Sequence, residues 1–246
     1  MDFTGKNVIV TGGASGIGKA IVKGIVKGGG HAIIVDLNLE AAQAVCAELG
    51  NARAYRIDMG NSQNVRDVMA QVLQDVGQVH ILVNNAGIVS TRPFEDVTQA
   101  EWDRVVAINL TGVYAAISAL YPSMKEKGYG RIVNISSVAA KRGGGLLGTS
   151  AYAATKAGVI GLTKAVAREG ALHGIACNGV CPSYTLTPMT AIMDEEKTKK
   201  VLSTIPLGRG AQPEEIANMV LFFASDLASF ATGEISDCDG GVTMDG

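Results

Sequence analysis

Along the 246-residue chain, short apolar runs alternate with longer stretches whose apolar residues recur at helical spacing. The short runs predict strands at 7–11, 31–36, 52–57, 80–84, 130–136, 175–181 and 234–237. Several are apolar throughout rather than alternating, the pattern of strands covered on both faces. The periodic stretches predict helices at 16–27, 39–49, 62–76, 100–117, 150–171 and 213–224. Strand–helix alternation over the whole length specifies a parallel sheet with helices on both sides. The expected architecture is α/β: one doubly wound domain over residues 1–246, with seven parallel strands and its ligand at their carboxyl ends.

One segment, 183–207, breaks the alternation. It holds Pro188, Pro206 and a charge run of Asp194, Glu195, Glu196, Lys197, Lys199 and Lys200. The charges read as a solvated helix face. Because the segment is long and follows a strand end on the ligand side, it is expected to form a substrate lid.

Composition narrows the class. Hydrophobic residues make up 47% and charged residues 18%, a balance that suits a well-buried enzyme and excludes a disordered chain. A net charge of −2 leaves no basic footprint for nucleic acid or an anionic membrane. Cys46, Cys177, Cys181 and Cys238 are scattered, and no His or Cys cluster completes a zinc set, so no metal is expected. They read as free thiols of a reducing compartment. No apolar run approaches the ~18 residues of a membrane span, and residues 7–10 read as a core strand rather than a leader. A soluble, cytoplasmic protein is expected.

Candidate chemistry begins where the first strand ends. Thr11 is followed by Gly12, Gly13, Ala14, Ser15, Gly16, Ile17 and Gly18, a glycine turn between strand and helix. Such a turn lets the backbone approach a pyrophosphate, whose charge the helix N-terminus favours. Gly12, Ser15, Gly16, Ile17 and Gly18 are therefore the expected seat of a dinucleotide in a Rossmann domain, although three residues rather than one separate Gly12 from Gly16. Asp36 ends the second strand, about twenty residues further on, where a carboxylate accepts hydrogen bonds from ribose hydroxyls and repels a 2′-phosphate. Neither Leu37 nor Ser15 offers a cation to that phosphate. The cofactor expected is NAD rather than NADP.

The middle of the chain adds Tyr152 and Lys156, four apart and hence on one helix face, with Ser136 and Ser137 shortly before them. A free tyrosine titrates near 10, too high for a base at neutral pH. A neighbouring ammonium and an oxidised nicotinamide stabilise the phenolate. Tyr152 is then the general acid/base for hydride transfer between a nicotinamide and a carbonyl or alcohol carbon.

Together with Asn84, Asn85, Ala86 and Gly87 after the fourth strand, these motifs closely resemble the short-chain dehydrogenase/reductase family. The resemblance runs nearly end to end, through Asp58, Asn109, Asn134, Ile135, Ser136 and Ser137, residues 182–187 and 205–209, and Asp239, Gly240 and Gly241. It implies that Asn84, Asn85, Ala86 and Gly87 brace the sheet beside the cofactor and that Asp58 and Met59 border the adenine. It implies cofactor contacts from Pro182, Thr185 and Thr187, with Thr187 at the nicotinamide carboxamide. The catalytic group implied is Asn109, Ser137, Tyr152 and Lys156: Ser137 holds the substrate oxygen, Lys156 also reaches the nicotinamide ribose, and Asn109 places a water for proton relay.

Two positions depart from the family pattern. Relatives commonly place the serine thirteen residues before the tyrosine, where this chain has Ala139; Ser137 is fifteen before it. Gly143, Gly144 and Gly145 then read as part of a two-residue lengthening, with Ser136 the second choice for the catalytic serine. Ser183 stands where relatives usually carry glycine.

The leading expectation is an NAD-dependent alcohol dehydrogenase or ketone reductase acting on a small-molecule secondary alcohol or ketone. The alternatives are an NADP-dependent β-ketoacyl carrier-protein reductase, disfavoured by Asp36 and the net acidity, and a non-catalytic NAD(H)-binding sensor. The substrate pocket is expected to be apolar, bordered by Ser137, Ala139, Leu146, Leu147, Tyr152, Ser183, Tyr184, Met189 and Met193. By resemblance the protein is a homotetramer, consistent with the small and apolar residues of the helices at 100–117 and 150–171.

Overall fold

The computed structural model describes residues 1–144, 148–191 and 193–244. Seven strands form one sheet in the order β3-β2-β1-β4-β5-β6-β7, every neighbouring pair parallel. They are β1 (Asn7–Thr11), β2 (His31–Asp36), β3 (Ala52–Arg56), β4 (Ile81–Asn84), β5 (Gly130–Ile135), β6 (Ile175–Pro182) and β7 (Ile235–Cys238). All residues of β4, β5 and β6 are buried, which is why their sequences carry no alternation. The chain builds outward from β1 to β3, then returns to β4 on the other side of β1. That reversal opens a crevice at the carboxyl ends of β1 and β4.

Helices cover both faces. On one side α1 (Gly16–Lys27), α2 (Leu39–Leu49) and α9 (Pro213–Ala224) bury Ile21, Val22, Ile25, Val45, Val220 and Leu221 against Val8, Val10, Ile34 and Val83. On the other, α3 (Ser62–Val76), α5 (Gly112–Lys127) and α7 (Ser150–Gly170) bury Val65, Met69, Val72, Leu120, Met124 and Val159 against Ile9, Ile33, Leu82 and Ile132. The fold expected from sequence is the fold observed.

Local departures are informative. The helix expected at 100–117 is instead α4 (Gln99–Val106), a π-helical turn at Ala107–Thr111, and α5, continuous to Lys127. Pro122 removes one helical donor, but Leu120 and Met124 around it are buried, and Gly128 with φ +63 provides the stop. The combined rod of 29 residues, Gln99–Lys127, is by length and composition apolar enough to cross a membrane, although polar residues interrupt its apolar runs. In this fold its apolar residues Val113, Ala115, Ala116, Leu120 and Met124 pack in the core.

Segment 183–207 contains a helix, α8 (Glu195–Leu202), whose charges face outward in the pairs Lys199–Glu195 and Lys197–Asp194. Val201 and Ile205 bury against Tyr184, with Met193, Leu202 and Val242 alongside, as a satellite core. Met193 thus packs into this satellite core rather than lining the cleft. A short α6 (Ala139–Arg142) follows β5 and was not legible from periodicity.

Candidate active site

The crevice is a cleft of about 380 Å³ running from Asp36 and Leu37 past the glycine turn to Ser137, Tyr152, Lys156 and Tyr184. Gly12 and Gly16 have φ of +64 and +51, a left-handed conformation that favours glycine. A side chain at Gly18 would collide with the Gly12 carbonyl oxygen, so only glycine lets α1 start this close to β1. Ser15, the N-cap of α1, makes no side-chain capping bond, and the first turn of α1 carries no acid. The first-turn N–H groups thus remain for an anion. Asp36 Oδ2 accepts from Ala14 N at 3.1 Å and Oδ1 from Asn38 N at 3.0 Å, which fixes its carboxylate at the nucleotide end.

The opposite wall is tied to the turn. Thr11 Oγ1 accepts from Asn85 N at 3.0 Å and Ala86 N at 2.9 Å. Asn85 Nδ2 donates to the carbonyls of Thr11 and Gly12, both at 3.0 Å. Thr187 faces Gly16 across the cleft, and Thr190 Oγ1 holds that loop by accepting from Thr187 N at 3.0 Å and lying 2.7 Å from Thr185 O. Asp58 and Met59 line the cleft beside Ile57 and Ile108. The backbone donors, the fixed carboxylate and the length of the cleft fit a nicotinamide dinucleotide.

At the far end stand the reactive groups. Tyr152 and Lys156 lie one turn apart on α7, with Lys156 Nζ 5.7 Å from the Tyr152 ring centroid. The Lys156 ammonium is buried and donates to Ile135 O at 2.8 Å. Burial pushes its pKa down to about 8. Burial likewise holds the Tyr152 phenol above its usual value, while a hydrogen bond with Ser137 pulls the other way. Gly148 packs on the Tyr152 ring, where a side chain would collide.

Both serines line the cleft, but their hydroxyls have different partners. Ser137 lines the cleft and accepts from Ala139 N at 3.1 Å. Ser136 donates to Lys156 O at 2.8 Å, so its hydroxyl faces the backbone of α7. Both residues lie just beyond the end of β5.

Asn109 sits in the π-helical turn and is fully buried. Its Oδ1 accepts from Ile88 N at 2.9 Å, and its Nδ2 donates to Ile88 O at 2.8 Å and approaches Thr155 Oγ1 at 3.3 Å. It therefore clasps the loop after β4, and its Oδ1 and Lys156 Nζ approach the same face of Gly87.

Of the expected substrate-side residues, Ala139, Ser183, Tyr184 and Met189 line the cleft; Leu146 and Leu147, like Gly145 of the lengthened loop, lie outside the described residues. Pro182 and Thr185 line it as well. Ser183, the departure from glycine, donates to Asp239 O at 2.8 Å and so ties this wall to the C-terminal turn, where Asp239 accepts from Gly241 N and Thr243 N. Thr11, Thr190, Gly148, Ile88 and Val89 are site residues that sequence reasoning missed. Only Thr11, a hydroxyl at a strand end before a glycine turn, carried a local signal.

A family model described as enoyl-(acyl carrier protein) reductase matches residues 12–243. An acetoacetyl-CoA reductase of Rhizobium meliloti (strain 1021) is 42% identical over 236 residues, covering 95% of this chain and 96% of the relative. A 3-oxoacyl-acyl-carrier-protein reductase of Thermotoga maritima is 38% identical over 248 residues, covering 99% and 100%. Among solved structures, a protein assigned as an NAD(P)-dependent gluconate 5-dehydrogenase from Beutenbergia cavernae, with NADP bound, superposes with a TM-score of 0.92. It is 34% identical and covers 98% of either chain.

Proposed function

This chain belongs to the short-chain dehydrogenase/reductase family, and from that premise we propose that it interconverts a 3-oxoacyl thioester and its 3-hydroxyacyl form with a nicotinamide dinucleotide. The unspecified secondary alcohol expected first from sequence gives way to the ketoacyl alternative. The observation that carries this reading is the full-length similarity to two reductases whose names specify 3-oxoacyl thioesters. The cleft agrees: Asp36 and Asp58 lie at its nucleotide end, and Lys156 is the charged lining residue beside Tyr152. A neutral ketone with an apolar chain fits between Ala139, Tyr184 and Met189.

When bound, the reduced nicotinamide supplies a hydride to the carbonyl carbon, and its oxidised form supplies positive charge. Ser137 donates to the carbonyl oxygen and orients it. Tyr152 delivers its phenolic proton to that oxygen as the alcohol forms, and takes it back in the reverse direction. The Lys156 ammonium stabilises the resulting phenolate. Asn109 holds the loop of Ile88 beside both.

For the cofactor, the fixed Asp36 carboxylate supports NAD(H), and the NADP-bearing structural relative supports NADP(H). A cytoplasmic setting fits the four free cysteines. Exposed Phe94, Trp102 and Tyr114 around α4 and α5 support a homotetramer, for which light scattering should give about four times the 25.4 kDa chain mass.

The deciding experiment follows NADH and NADPH absorbance with acetoacetyl-CoA, cyclic ketones and sugar-derived ketones, Tyr152→Phe alongside. Thioester reduction that falls about 100- to 10,000-fold in the variant, with nucleotide affinity intact, is expected. Turnover of sugar substrates with none on the thioester overturns the proposal.

A further inference from the structure

Asp36 and Arg56 are register partners on the adjacent parallel strands β2 and β3. Residues in register project to the same face of the sheet, so the two side chains are neighbours. A groove lined by Asp36, Leu37, Asn38, Leu39, Glu40 and Arg56 opens directly off the ribose end of the cleft, sharing Asp36 and Leu37 with it. Arg56 is exposed there, and among the described residues it forms no ion pair or hydrogen bond. Asp36, in contrast, is held by two backbone N–H groups and cannot swing aside. Glu40 adds a second acid to the groove.

We infer that Arg56 is the determinant that lets this site accept a ribose 2′-phosphate despite Asp36, so that the chain uses both NAD(H) and NADP(H). The inference rests on the dinucleotide-binding reading of the cleft. A guanidinium offers a planar fork of donors suited to a phosphate, and Arg56 is the cation lining this groove. One arginine against two acids offsets the repulsion without reversing the sign of the groove. The 2′-phosphate is therefore tolerated rather than required. This reconciles a strand-end aspartate with a structural relative that binds NADP.

The test is calorimetric titration of the purified protein with 2′,5′-ADP and with 5′-AMP, which differ only in the 2′-phosphate. The wild type is expected to bind both. Arg56→Gln should weaken 2′,5′-ADP roughly tenfold, the scale of one exposed arginine–phosphate contact, and leave 5′-AMP within about twofold. Arg56→Lys should retain part of the affinity. Asp36→Ala should strengthen 2′,5′-ADP. If 5′-AMP binds and 2′,5′-ADP does not, or if Arg56→Gln leaves the two affinities in their original ratio, the role of Arg56 is refuted while the nucleotide seat stands. If neither nucleotide binds, the dinucleotide reading falls as well.

Discussion

Replacing Asn109 by alanine separates two roles that a sequence alone cannot. As a holder of a relay water, its loss would slow turnover and leave the fold untouched. In the structure it is a brace: its amide satisfies both the N–H and the carbonyl of Ile88, at 2.9 and 2.8 Å, from a fully buried position. Asn109→Ala leaves these two backbone groups without their partner. A part-buried group stripped of its hydrogen bond costs about 1–3 kcal/mol, and access of water to one of them reduces the sum. We expect a loss of about 3 kcal/mol in stability, and a chain of this size loses roughly 2–4 °C per kcal/mol. The melting temperature should therefore fall by about 6–12 °C in a calorimetric scan at fixed protein concentration. Turnover should fall with it, because Ile88 lines the cleft. Asn109→Asp, unable to donate to Ile88 O at neutral pH, should lose nearly as much. Unchanged melting with slowed turnover would refute the brace and leave the relay.

Two further outcomes follow from the same geometry. The buried Lys156 has a folded pKa of about 8 against an ordinary 10.5, so between these values the unfolded chain binds the additional proton and stability rises with pH. Urea midpoints of the wild type should climb from pH 8 towards 10, a slope that Lys156→Met should lack; parallel curves would show the group to be solvated. Ser183→Gly deletes the hydroxyl that donates to Asp239 O, at a cost of about 1 kcal/mol. It should speed amide exchange at Gly241 and Thr243 in the C-terminal turn, and unaltered exchange would mean the tie does not anchor that turn.

The parallel sheet was legible because burial on both faces writes itself into runs such as Ile33, Ile34 and Val35. The position of Tyr152 and Lys156 was legible because helical spacing alone places them together. What escaped depends on contacts between distant segments. The π-helical turn is held by Asn109 reaching Ile88, and Pro122 disguised a helix whose continuation is bound by burial of Leu120 and Met124. Met193 looked like a pocket residue by its place in segment 183–207, yet Tyr184 and Val201 draw it inward. Arg56 gains meaning only through its register opposite Asp36, which strand pairing and not local sequence decides.

The site straddles the seam between β1 and β4. Thr11 on one side meets Asn85 and Ala86 on the other, across 74 and 75 residues of chain. Strands β1, β2 and β3 pair with near neighbours in sequence, whereas closing this seam must await a long loop, an entropically slow event. Nucleotide affinity is thus confined to chains in which both halves have docked. During refolding, the appearance of binding should trail the gain of helical signal. Ligand present in excess would hold the seam shut and retard unfolding.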